Sequence, residues 1–556
     1  MLVELEGYTV FGFKKEKCDV YFKGNISVDG QVISLEKWIA SLVAHLQADE
    51  LGFCSYLSSE LASISGLFSL LIQQENNFYL AADLARSMPL NYGFKEGKLF
   101  ITNRLDKYLV KQEAFPIDQD RLEELISAGS VLESGTIYEN IYGIQAGEIV
   151  SIRGGELSSE RYFQFIPEAN PDHSDDADLF ARDLDKALLK SFTNMIQQTP
   201  HVNRWLVSLS GGHDSRIIVN YLYRLGIKNV VCYTYGKPGN QQAVISKQVA
   251  EALGYEWHFV EYTDQKWNEL HENGSIDQYI DFAFNGVSLT HFQDFLAIYE
   301  LRKNEIIMQG DVFVPGHTFD WLAGSNYNEQ DMACENRQMA LERVIFKHLR
   351  SRDVSRLPVR TIENIYEKAN VSPRYFQEYY NWQERRSKYM VNSVRAYELF
   401  GHEFRLPFWD REIVEFCRRI PDNDRMGRAK YLEAETRGIL VDLLVDLPYA
   451  GKVDRSGRNS ITDLVSRILS GPVKTVLLKF SRRKLKLNEG LNLIYTLKAH
   501  TLRDMLEPIE DYPPQILRYF EVFLDRYPYQ VNYELLTALY SIRRVYDRAK
   551  YSGGSF

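Results

Sequence analysis

Over the first 165 positions the apolar residues come in short runs separated by Gly and Asn turns: Gly66–Ile72, Phe78–Ala82, Leu99–Thr102 and Glu148–Ile152. Runs of this length and spacing predict strands and a β-rich, layered domain. From Gln164 to Asp176 the chain turns polar, acidic and proline-bearing, passing through IPEANPDHSDD, which predicts a linker. A helical period then covers Asp176 to Gln197.

Beyond Trp205 the pattern changes to strand, Gly-rich loop, helix (Asp214 to Leu225), strand (Val230 to Tyr235), helix (Gln241 to Leu253) and strand (Trp257 to Tyr262). Gly226 and Gly254 close the two helices. Strands separated by single helices predict a parallel sheet in an α/β domain. Ligands on such sheets bind at the carboxyl ends of the strands, where Ser210 and Tyr235 fall. Past Glu269 the period is mostly helical, with one further strand at Ile306 to Met308 or Val312 to Val314. The divisions expected are 1–165, 178–460 and a helical extension over 461–556.

With 556 residues, 45% of them hydrophobic, the chain can bury more than one core. The net charge of −10 disfavours a general nucleic-acid binder and favours small-molecule or protein partners. Cys18, Cys54, Cys232, Cys334 and Cys417 show no CxxC pairing and read as reduced thiols. Histidines lack metal-site spacing. No apolar run approaches the roughly 18 residues a spanning helix needs, and MLVELEGYTVFGF does not read as a signal peptide. A soluble, cytoplasmic protein is expected.

The chemistry concentrates in RWLVSLSGGHDSR, from Arg204 to Arg216. Gly211 and Gly212 remove Cβ atoms where the backbone must turn close to an anion. Asp214 and Ser215 open the next helix, which aims its N-terminus at phosphates, while Ser210 and Ser215 offer hydroxyls and Asp214 a carboxylate for Mg2+. The lysine of GxxxxGK[ST] is missing, and the short SGGxDS form resembles the pyrophosphate loop of ATP pyrophosphatases, which release AMP and pyrophosphate. The plainer reading is an ordinary Gly-Gly turn.

Further motifs extend the likeness. SLSGGHDS (Ser208 to Ser215), CYTYGKPGNQ (Cys232 to Gln241), PGHTFDWLAGS (Pro315 to Ser325) and HEFRLPFWDREIVEF (His402 to Phe416) stand in the order of the asparagine synthetase family, which the chain resembles. YLAADLARSMPLNYG (Tyr79 to Gly93) and TIYENIYGIQAGE (Thr136 to Glu148) resemble that family's N-terminal half. The resemblance implies a layered αββα amidotransferase-like domain followed by an ATP-pyrophosphatase domain. It places ATP against Ser208, Ser210, Gly211, Gly212, Asp214, Ser215, Tyr235, Pro315 and Gly316, and Mg2+ between Asp214 and Asp320. The alternative for Asp320 is a cap on the helix that follows it.

Departures from the family are as informative. Its glutaminases use a Cys freed by removal of the initiator Met, whereas this chain reads Met1-Leu2 and carries Ala81-Ala82-Asp83 where the family has ARD. Glutamine hydrolysis by this chain is therefore not expected. His317 stands where relatives carry Glu or Tyr, and is a candidate to deprotonate an amine or orient a carboxylate. Glu403 matches an acid that helps an amine lose its proton in lactam-forming relatives; a buried Glu–Arg pair with Arg405 is the alternative. Lys452 is the candidate for the lysine that stabilises the acyl-adenylate transition state, with Lys430 its rival.

The expected activity is an ATP- and Mg2+-dependent ligase that adenylates a carboxylate and makes an amide. The acceptor is an aspartate-like amino acid, a glycan carboxylate or a peptide acid; the nitrogen comes from ammonia, an amine or a separate glutaminase. The competing readings are an inactive nucleotide-binding homologue and a tRNA-modifying enzyme, the latter disfavoured by the acidic charge. A homodimer is expected. Val473 to Lys486 interleaves basic residues with leucines, a candidate contact with an anionic membrane or lipid-linked glycan, against the plainer reading of a solvated helix face.

Overall fold

Period-two alternation builds the N-terminal half of this computed structural model, which describes residues 2–28, 31–110, 115–169, 176–349, 357–436, 537–538 and 540–545. Its strands are β1 (Leu2–Glu4), β2 (Thr9–Phe13), β3 (Cys18–Val28), β4 (Gln31–Val32), β5 (Ile64–Gln74), β6 (Asn77–Ala82), β7 (Asn91–Lys95), β8 (Lys98–Thr102), β9 (Ile141–Gly143), β10 (Glu148–Arg153) and β11 (Glu156–Arg161). They form two sheets, ordered β1-β8-β7-β9 and β11-β10-β6-β5-β3-β2, with β4 beside β3.

On β6, Tyr79 and Ala81 face the helices α1 (Leu35–Ala48) and α2 (Phe53–Ser63), while Phe78, Leu80 and Ala82 face the other sheet. One strand thus serves two cores, which is what alternate side-chain directions allow. On the far side of the second sheet, α3 (Leu105–Val110) and α4 (Gln119–Ala128) pack against Phe100 and into the second half of the chain. The order of layers is helix, sheet, sheet, helix. The four strands expected from pattern are all present. The pattern gave no sign of the long β3 or of α1 and α2, although the αββα layering that the resemblance implies calls for helices.

The second half opens with α5 (Ala177–Gln197), whose N-cap Asp176 accepts from the Asp178 N–H at 2.8 Å. There follow β12 (Trp205–Ser208), α6 (His213–Arg224), β13 (Val230–Gly236), α7 (Gln241–Leu253), β14 (Glu256–Glu261), β15 (Val312–Phe313) and β16 (Glu403–Phe404). All pairs are parallel, in the order β14-β13-β12-β15-β16. The last anticipated strand is therefore the one at Val312. The direction of winding reverses between β12 and β15, and that reversal positions the site.

The two halves share one core. The expected linker begins as part of it: Phe165 is fully buried, stacked on Trp382 with ring centroids 5.2 Å apart and 5.1 Å from Trp321. Arg418 holds that stretch by donating to the Ile166 carbonyl at 2.9 Å. Polarity of the residues after Glu168 dominated the sequence pattern and hid the two aromatics before it.

Asn381–Met390 winds as a π-helix, with the Ser387 hydroxyl donating to the carbonyl of Trp382 at 2.6 Å. Its Lys388 is buried and gives hydrogen bonds to the carbonyls of Val131 and Glu133, both 2.7 Å, and to Glu384 at 2.5 Å. Glu384 in turn accepts from the Glu133 N–H at 3.1 Å. This segment pins the N-terminal layers to the second half.

Among the described residues no helix is long and apolar enough to cross a membrane. The basic stretch 473–486 lies outside the described residues. Of 461–556 only a short helical piece is described, in which Arg544 pairs with Asp277 at 2.9 Å and Asp281 at 2.8 Å.

Candidate active site at the sheet switch point

Two loops leave the carboxyl ends of the central strands at the reversal point: Leu209–Gly212 after β12, and Val314–Thr318 after β15. In the first, the Ser210 N–H donates to Ser215 Oγ at 3.0 Å, the two serine hydroxyls are 3.0 Å apart, and the Gly212 N–H donates to Ser210 Oγ at 3.1 Å. These bonds fold the loop back on the first turn of α6. No side chain caps α6, so its leading N–H groups are left for a ligand, and an anion suits them.

The second loop lies directly on the first. A Cβ on Gly316 would stand 2.9 Å from the Ser215 nitrogen and 3.1 Å from its Cα, so glycine is what permits the contact. Pro315 is buried beneath it. Thr318 holds a φ of +88°, an unfavourable value for a β-branched residue, and starts the turn Phe319–Leu322. Because Thr318 occupies the cap position, the Asp320 carboxylate is not used for capping; it accepts from the Ser325 hydroxyl at 3.0 Å.

The Asp320 N–H donates to Asp214 Oδ2 at 3.0 Å, which brings the two carboxylates together. Asp214 Oδ1 is buried and meets no donor. Burial first, and the charge of Asp320 second, push the Asp214 carboxyl well above its ordinary range. A buried, unpartnered oxygen beside a second carboxylate fits a divalent cation. Among the described residues no group of three metal-ligating side chains exists. A two-carboxylate site completed by phosphate oxygens and water is the arrangement suited to Mg2+.

Other expected residues fall differently. Tyr235 lies at the carboxyl end of β13, but its hydroxyl is bonded to Asp294 and its ring stacks on Tyr262 at 5.0 Å. Ser208 pairs in register with Tyr233 at the end of β12. His317 sits in the second loop with Nδ1 3.3 Å from the Thr318 hydroxyl, Nε2 unpartnered and its ring 6.3 Å from Trp409. Burial pushes its pKa down to about 3, so at neutral pH it is a neutral hydrogen-bonding group and a poor proton acceptor.

Glu403 is not brought to the site. It registers with Val312 at the amino end of the sheet, where it pairs with Arg405 at 2.8 Å and His201 at 3.0 Å. Instead it lines a cavity of about 490 Å³ between the two halves, with Lys23, Arg104 and Arg395. The Glu–Arg pairing is the reading the geometry supports, although Glu403 itself is half exposed. Lys452 lies outside the described residues. Lys430 is buried, with Nζ 4.0 Å from Glu433.

Two parts of the site escaped the sequence reading. The helix Ala429–Thr436 covers the first loop: Glu435 bonds the His213 ring, and Tyr431 donates to Glu435 at 2.8 Å while lying 5.2 Å from Phe319. The second is Arg386, on the π-helix, whose guanidinium lies 5.3 Å over the Trp321 ring next to Asp320. An adjacent Arg pair between Trp382 and Tyr389 was the available signal.

The family match falls on the same half of the chain. Residues 197–448 match the family described as asparagine synthase. Over 208 residues the chain is 24% identical to asparagine synthetase [glutamine-hydrolyzing] 1 of Bacillus subtilis (strain 168), covering 36% of this chain and 32% of that protein. The match thus spans about a third of the relative's length. Among solved structures, glutamine phosphoribosylpyrophosphate amidotransferase from B. subtilis, complexed with ADP and GMP, is 12% identical with a TM-score of 0.21, covering 45% of this chain and 72% of that one. NMN synthetase from Francisella tularensis is 13% identical with a TM-score of 0.21, covering 39% and 97%.

Proposed function

We propose, from the match of residues 197–448 to the asparagine synthase family and from the geometry of the site, that this protein is an ATP-dependent amide-forming ligase that adenylates a carboxylate and passes the acyl group to a nitrogen nucleophile. The observation that carries the reading is the meeting of the Ser210–Ser215 loop, the uncapped N-terminus of α6 and the Asp214–Asp320 pair at one switch point.

In this reading the loop N–H groups and the serine hydroxyls hold the β,γ-phosphates. Asp214 and Asp320 would hold Mg2+, which supplies charge to offset that of the departing pyrophosphate. An acceptor carboxylate oxygen bonds to the α-phosphorus as the bond to pyrophosphate breaks. Ammonia or an amine then attacks the acyl carbon, loses a proton and displaces AMP. His317, neutral and with Nε2 unpartnered, is suited to orient a substrate rather than to take that proton.

A nitrogen source other than glutamine hydrolysis in this chain accords with its thiols. Cys18 is buried against α1 and α2 with its pKa pushed up to about 12 by burial, and burial also raises that of Cys54. Asp83, in the altered ARD stretch, is buried and spends its oxygens on the N–H groups of Phe68, Ala85 and Ser87.

The test is ATP–pyrophosphate exchange across aspartate, uronic-acid, amino-acid and peptide acids, with Asp214→Asn as control. Exchange that needs one carboxylate and is lost in the variant supports the ligase. A wild-type protein that binds no MgATP refutes it.

A further inference from the structure

Arg386 is 9% exposed, and among the described residues no carboxylate lies within ion-pair distance of it. Its one hydrogen bond is from Nε to Asn381 Oδ1 at 3.3 Å, so the two terminal nitrogens are left over. Three other buried arginines of this half are matched by carboxylates: Arg425 by Glu378, Arg405 by Glu403 and Arg395 by Glu398. A buried guanidinium without a counter-anion is costly, and such a group is retained where a ligand supplies the charge.

Four features point to the anion. Arg386 rides on a π-helical segment, a rare geometry concentrated at functional sites. Its guanidinium carbon lies 5.3 Å from the centre of the ring of Trp321, the residue after Asp320. Asp320 and Asp214 are near enough for their charge to favour its protonated form, and although burial pushes the pKa down to about 10, the group stays cationic at neutral pH. The first loop has no lysine of the GxxxxGK[ST] kind, so a side-chain cation to act on the phosphates beside Mg2+ would come from another part of the chain.

We propose that Arg386 is a binding residue of this site that receives oxygens of the β,γ-pyrophosphate of ATP, from the same neighbourhood as the Asp214–Asp320 pair. The proposal rests on the ligase reading for its ligand. A planar fork aimed at phosphate gives two parallel charged hydrogen bonds, which a lysine point charge reproduces only in part.

The experiment is titration calorimetry of the full chain with MgATP, magnesium pyrophosphate and AMP, for wild type, Arg386→Gln and Arg386→Lys, with a thermal melt of each. Arg386→Gln should weaken MgATP and magnesium pyrophosphate by about tenfold or more, leave AMP unchanged, and Arg386→Lys should recover part of the loss. Unchanged pyrophosphate affinity in Arg386→Gln overturns the proposal, and a raised KM for the carboxylate in exchange assays would then assign the anion to the acceptor. If Arg386→Gln does not fold, Arg386→Lys decides: wild-type pyrophosphate affinity overturns, several-fold loss with AMP unchanged supports. Failure of the wild type to bind MgATP would instead sink the ligase reading.

Discussion

Substituting alanine for Gly316 tests the placement of the two loops most directly. Gly316 is not among the glycines with positive φ, so alanine adopts its backbone conformation freely and only the new Cβ matters. That carbon would lie 2.9 Å from the Ser215 nitrogen, 3.1 Å from Ser215 Cα and 3.3 Å from Ile218 Cδ1. Comfortable contact begins near ~3.5 Å, so the loops must separate by about half an ångström. Two of the three atoms are backbone and cannot swing away. Overpacking of this kind costs about 1–3 kcal/mol, offset by up to about 1 kcal/mol from the stiffer unfolded chain. A 1 Å misplacement of reacting groups costs about a hundredfold, so half of that predicts roughly tenfold in exchange rate. Differential scanning fluorimetry and ATP–pyrophosphate exchange read the two effects. A Gly316→Ala protein with wild-type melting and exchange would show that the loops do not depend on this close approach.

Glu403→Gln should leave exchange within about twofold, since a half-exposed pair at the amino end of the sheet is worth at most ~1 kcal/mol; a tenfold loss would restore a catalytic role. Burial pushes the Asp410 carboxyl up to about 7, which disfavours its charged form in the fold, so stability should fall as pH rises from about 4 to about 7 and then level off, by up to ~4 kcal/mol. Asp410→Asn, which keeps the cap on the Glu412 N–H, should flatten that slope in denaturant titrations, and parallel slopes would contradict the assignment. His317→Gln should keep the wild-type pH–rate profile between pH 5 and 8, because a group whose pKa lies near 3 does not titrate there; a displaced limb would mean that His317 carries the proton.

What the sequence made legible was what depends on neighbours along the chain. The alternation of strand and helix from Trp205 to Tyr262, the Gly-Gly turn and the Asp214–Ser215 helix start are local, and each is where the pattern placed it. Asp320 drew notice because a short motif carries it, and the fold brings it to Asp214. Glu403 misled because its strand has only two residues and its register against Val312, which puts it at the amino end, is a tertiary fact. Arg386 gave no periodic signal, since a π-helix has neither the 3.6 nor the 2.0 repeat that pattern reading detects. Phe165 was hidden by the acidic, proline-bearing stretch after it, although two buried tryptophans from later in the chain receive it.

The π-helix also bears on how this protein can be taken apart. Lys388 draws two of its acceptors, Val131 and Glu133, from the N-terminal layers, while Arg386, two residues earlier, lies beside Asp320. A fragment beginning after residue 176 would leave a buried ammonium with one partner in place of three, and the segment carrying Arg386 would lose its anchor. Gene trimming of the N-terminal half is therefore opposed by physics alone, whether or not that half carries any chemistry of its own. It is the wall against which the sheet switch point of the second half is built.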